Sequence, residues 1–110
     1  SIPTEFNGPG GAYNPEILFG MAVLNCIIAL YKFLAEKADV SYEQIKGKAI
    51  VTLDKDKETN QMLFTDIDVI IDVTGANDSK AAKSLLEQAI KQCPVSNSVK
   101  SGKTFQLNVS

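Results

Sequence analysis

Histidine and arginine are both missing from these 110 residues, so all 11 basic side chains are lysines. Without histidine the chain cannot build a Ser-His-Asp or Cys-His catalytic pair. Cysteine is scarce as well, with Cys26 and Cys93 alone. Two cysteines are too few for a disulfide-stapled secreted scaffold, and without histidine they fall short of a structural zinc site. No basic segment followed by an apolar run opens the chain, so no signal peptide is expected and a reducing cytoplasm is the expected compartment. There is also no surplus of positive charge. A net charge of -2 and a pI near 5.0 argue against a nucleic-acid partner.

What is present fits one α+β domain over residues 1–110, with 45% hydrophobic and 22% charged residues. Residues 1–13 carry two prolines and three glycines and read as a lead-in loop. Gly10-Gly11 matches neither a P-loop nor a dinucleotide fingerprint, and no cofactor is expected. Asn14 then suits an N-cap, Pro15 the first helical position, and Glu16 the positive end of the helix dipole. The helix is expected to run to about Ala38, and from Ile17 to Ala35 it is apolar nearly all round. A helix without a wet face has to be buried on several sides, which 110 residues hardly achieve within one subunit. It is long enough to span a membrane, at roughly 36 Å for 24 residues. The polar breaks at Asn25, Tyr31 and Lys32 favour an interior helix that also meets a partner chain.

Two alternating stretches follow. Ile45, Gly47, Ala49, Val51 and Leu53 fall on one face of a first strand. Leu63, Thr65, Ile67, Val69, Ile71 and Val73 fall on one face of a second, opposed by Phe64, Asp66, Asp68, Ile70 and Asp72. They are expected to pair antiparallel around a charged tip, residues 54–60, with the aspartates as a hydrated outer side rather than a metal site. Asn77 or Asp78 caps a second helix, where Ala82, Leu85, Leu86, Ala89, Ile90 and Cys93 form an amphipathic stripe. Pro94 stops that helix and starts a short turn, and Phe105, Leu107 and Val109 alternate in a closing strand.

The two thiols sit in different settings. A free cysteine usually packs as a small hydrophobe. Cys26 is mid-helix, beyond help from either helix end, so activating it requires a cation or a strong donor from elsewhere. Cys93, beside Pro94, faces the backbone N–H groups of the next turn, a setting that lowers a thiol's pKa.

Residues 14–19 (Asn-Pro-Glu-Ile-Leu-Phe), Cys26 ten residues beyond Glu16, and residues 34–37 resemble the central helix of the OsmC/Ohr family. The segment Ala89-Ile90-Lys91-Gln92-Cys93-Pro94-Val95-Ser96-Asn97-Ser98 resembles that family's second-cysteine motif. The resemblance spans about residues 8–110. It implies an intertwined homodimer, with the long helix and the second amphipathic helix packed on an antiparallel sheet. It also implies thiol-dependent reduction of organic hydroperoxides. Cys26 would be oxidised to a sulfenic acid, Cys93 would resolve it as a disulfide, and a cellular dithiol would re-reduce the pair. Glu16 would be the family's helix-start glutamate. At ~15 Å from Cys26 along one helix, Glu16 can approach only a partner's thiol. The family's strands ahead of the long helix, and the arginine they bring to the thiol, have no counterpart in these residues. A dimer of this fold that serves as a binding or structural module without peroxidase activity is therefore the alternative.

Overall fold

The computed structural model describes residues 14–110. The expected lead-in loop and Gly10-Gly11 lie outside the described residues. The element order is α1 (Pro15–Lys37), β1 (Gln44–Lys55), β2 (Met62–Thr74), α2 (Ser79–Gln92), α3 (Pro94–Asn97) and β3 (Gly102–Val109). This is the α+β order read from the sequence.

Local chemistry sets the ends of the elements. The Asn14 side chain accepts the Ile17 N–H at 2.8 Å, and Pro15 takes the first helical position of α1. At the other end Asp39 adopts a positive φ of 56°, and Val40 N–H reaches back to the Ala35 carbonyl at 2.9 Å. An aspartate here does what a glycine commonly does after a helix. For α2 the cap is Asp78, whose carboxylate accepts the Ala81 N–H at 3.0 Å. At the hairpin tip the Asp56 carboxylate accepts from Glu58 N–H and the Thr59 hydroxyl. Those bonds hold its pKa below the usual carboxylate value.

The sheet has the order β1-β2-β3. β1 and β2 are antiparallel, as expected, while β3 joins β2 in parallel. The parallel register follows from the α2–α3 crossover, which returns the chain to the end where β2 began. Ile67, Val69, Ile71 and Val73 of β2 are buried against the helices. The aspartates take the opposite side, where Asp68 accepts from Thr104 and Asp72 from Asn108 on β3.

One facing departs from simple alternation. Thr52 pairs with Asp66 but Leu53 pairs with Phe64, so β2 carries an extra residue at Thr65. A one-residue bulge reverses the facing of everything beyond it. Phe64, expected on the outer side, instead stacks on Phe19 of α1 with ring centroids 4.6 Å apart. Leu53 remains exposed where the hairpin runs past the core.

Two glycines let α1 lie close on β1. A Cβ on Gly47 would stand 2.6 Å from Leu24 Cδ1, and one on Gly20 would stand 3.0 Å from Val51 Cγ2. The face of α1 pressed inward is Gly20, Val23, Leu24, Ile27, Tyr31 and Ala35. By length and composition α1 could also cross a membrane, yet this face is packed on protein.

Candidate functional site

Cys26 lies at the middle of α1, half-buried and packed against the core. Cys93 lies where α2 hands over to α3 and is fully buried, at 0% exposure. Both thiols are free, and Cys26 stands close enough to Cys93 to act on its ionisation. The reason is local on each side. The helical stripe of α2 runs Ala82, Leu86, Ala89, Cys93 against α1, and Pro94 ends the helix immediately after the sulfur has been delivered. Cys26 sits on the flank of α1 that meets α2 and α3, two turns from Phe19 and about 100° per residue around the axis.

Cys93 closes one element and opens the next. Its backbone is extended (φ -68°, ψ 110°), its carbonyl accepts the Asn97 N–H at 3.0 Å, and its Sγ accepts the Ser96 N–H at 3.3 Å. The expected donor from the following turn is therefore present. It does not decide the direction of the shift. Burial pushes the Cys93 thiol up, and neighbouring Cys26 adds to that, outweighing the Ser96 N–H. The expectation of a lowered pKa is corrected on this point. Cys93 is a protonated, sheltered thiol whose partner is the more exposed one.

Glu16 is in the first turn of the same uninterrupted helix as Cys26 and is half-buried. Ten residues of helix keep it ~15 Å from that thiol, so the subunit does not bring Glu16 to the sulfurs.

The sequence reading missed an apolar groove of about 410 Å³ beside the Phe19–Phe64 stack, bounded by Leu63 and residues 98–101. The bulge at Thr65 makes it by turning Phe64 inward, and nothing in a run of alternating residues marks a bulge. Lys103 was missed too. It pairs with buried Ile67 on the helix side of β3, and its ammonium donates to the Val99 carbonyl at 2.8 Å and the Ser101 carbonyl at 3.1 Å. Strand parity from Phe105, Leu107 and Val109 would have placed it on that face.

Among the described residues no group of three or more metal-ligating side chains is gathered. A pair of neighbouring thiols, one half-exposed and one buried, suits reversible two-electron oxidation to a disulfide.

Comparison with known proteins agrees with this architecture. The uncharacterized protein YmaD of Bacillus subtilis is 26% identical over the whole chain, which spans 75% of YmaD. An OsmC-like protein of unknown function from Vibrio cholerae superposes with a TM-score of 0.78 at 19% identity, over 88% of this chain and 65% of that one. The chain thus spans just under two thirds of that Vibrio protein. An organic hydroperoxide resistance protein, OsmC, from Legionella pneumophila superposes with a TM-score of 0.70 at 27% identity, over 99% of this chain and 77% of that one. The description "OsmC-like protein" matches residues 8–108, and the chain belongs to that family.

Proposed function

We propose that the protein is a thiol-dependent peroxidase that reduces organic hydroperoxides. The observation that carries this reading is the proximity of half-exposed Cys26 to buried Cys93 in one core. The name of the Legionella relative, an organic hydroperoxide resistance protein, supports the substrate class. The Cys26 thiolate attacks the terminal peroxide oxygen, the O–O bond breaks, and the alkoxide leaves and is protonated to the alcohol. Sulfur loses two electrons and the peroxide gains them, leaving a Cys26 sulfenic acid. The Cys93 thiol then displaces water to close the disulfide. A dithiol reductant restores both thiols and becomes a disulfide itself.

The working unit in this proposal is a homodimer. The side of α1 opposite its buried face runs Leu18, Ala22, Asn25, Ala29, Phe33, with Leu18 55% and Phe33 60% exposed. Small residues between two large apolar ones suit the close crossing of a second helix. An antiparallel crossing there carries Glu16 of one subunit toward Cys26 of the other. The site has no cofactor, the partners are the hydroperoxide and a dithiol, and the setting is cytoplasmic.

A second reading is favoured by the absence of arginine from the 110 residues. In it the same dimer is a binding or structural module without peroxidase activity. Dithiol-coupled consumption of cumene hydroperoxide separates the two. The proposal expects turnover in the wild type and none in C26S. Equal, background-level consumption in both assigns the module.

A further inference from the structure

We infer that Lys103 is a positioning residue for Cys93, clamping the turn that holds the second thiol against the first. The inference rests on the thiol pair as the reactive centre.

The sulfur is not held by side chains of its own helix. It is held by a relay of backbone contacts through the residues that follow it. Cys93 Sγ accepts the Ser96 N–H at 3.3 Å. The Ser96 carbonyl accepts the Val99 N–H at 3.4 Å, the longest bond in the series. The Val99 carbonyl then accepts the Lys103 ammonium at 2.8 Å, and the same ammonium reaches the Ser101 carbonyl at 3.1 Å. Ser96 is buried, while its neighbours Val95, Asn97 and Ser98 are exposed. Residues 98–101 span from the thiol to the sheet, with Val99 packed on the core and the Ser101 hydroxyl donating to the Phe64 carbonyl. One lysine side chain on β3 binds the carbonyls of both Val99 and Ser101.

The placement of Lys103 is unusual for its type. It occupies a helix-side position of the strand, in register with buried Ile67. A lysine there must satisfy its ammonium locally, and two backbone carbonyls do so. Hydrogen bonds from a charged donor are the stronger kind. A disulfide closes only when the two Cα atoms stand within a narrow range of separation. A turn free to open would leave the Cys26 sulfenic acid waiting. Lys103 in this account touches neither peroxide nor sulfur, and acts by keeping Cys93 sheltered and in reach.

The test reads Cys93 directly, in the C26S background, by its rate of alkylation with iodoacetamide at neutral pH. Losing both charged bonds in K103M is expected to speed labelling by about tenfold, because the turn opens more often. K103R keeps donors for both carbonyls and is expected to return the rate toward that of C26S. An unchanged rate in K103M, or an equal acceleration in K103R, overturns the inference. Should K103M fail to fold, K103Q carries the same comparison with a neutral donor, and a rate equal to that of C26S overturns it. With Cys26 restored, K103M is expected to lengthen the life of the sulfenic acid trapped by dimedone after one equivalent of cumene hydroperoxide. If the wild type forms neither the sulfenic acid nor the disulfide, the peroxidase reading fails, and the labelling comparison still decides the role of Lys103.

Discussion

The two long helices each deliver one thiol, Cys26 within α1 and Cys93 at the end of α2, and they solve burial differently. α2 has a single apolar stripe, Ala82, Leu86 and Ala89, with Lys80, Lys83, Glu87 and Lys91 on its wet side. That stripe is completed within the chain, and Cys93 at its end is sealed. α1 is apolar nearly all round and completes only one side of itself. Its inward face is covered, but Ile17, Leu18 and Phe33 remain 44%, 55% and 60% exposed. A lone subunit leaves α1 with more apolar surface than it can cover, and Cys26 stands between the covered and the uncovered side. The helix that is finished shelters Cys93, and the one that is unfinished presents Cys26.

The largest expected effect breaks the finished side. Leu86→Ala removes a fully buried side chain and is expected to cost about 2–5 kcal/mol in urea unfolding. A cost near zero would mean that α2 is not seated as described. The unfinished side answers to a different measurement. Leu18→Asp with Phe33→Asp is expected to leave the far-ultraviolet spectrum intact and to weaken self-association by about 100-fold in sedimentation. A wild type that stays monomeric at micromolar concentration would remove the dimer from the account. The caps come next. Asp78→Ala and Asn14→Ala each remove a side-chain acceptor from a helix start, at about 1 kcal/mol each. The smallest effect is one of pH. The Cys93 thiol is raised by burial and by Cys26, so the unfolded chain loses that proton first. Its contribution is whole below about pH 8.5 and falls away as the pH rises further. Denaturation midpoints of the wild type should therefore decline more steeply above that pH than those of C93S, and parallel slopes would contradict the shift.

Most of the framework could be read from residue patterns. Asn14 and Pro15 marked the start of α1, and the pair Asn77 and Asp78 that of α2, because capping is a local matter. The alternation of Ile67, Val69, Ile71 and Val73 marked the buried side of β2. The meeting of the two sulfurs lay in the α2 stripe and in the family resemblance together, since periodicity alone leaves open which helix it faces. What stayed hidden depended on tertiary contact. The bulge at Thr65 reversed Phe64 without any glycine or proline to announce it. Asp39 took a left-handed turn where no glycine marks one. The shift at Cys93 was misjudged because a backbone donor is visible in a Cys-Pro turn, whereas a second thiol and a sealed core are not.

The most direct measurement counts thiols on the intact protein before and after one equivalent of cumene hydroperoxide. The account predicts that the wild type loses both thiols to an intramolecular disulfide, with an intact mass lower by two hydrogens. C93S should gain one oxygen at Cys26, and C26S should keep its single thiol. Retention of both thiols in the wild type, or equal loss in C26S, would contradict the pairing of Cys26 and Cys93 as a peroxide-oxidised couple.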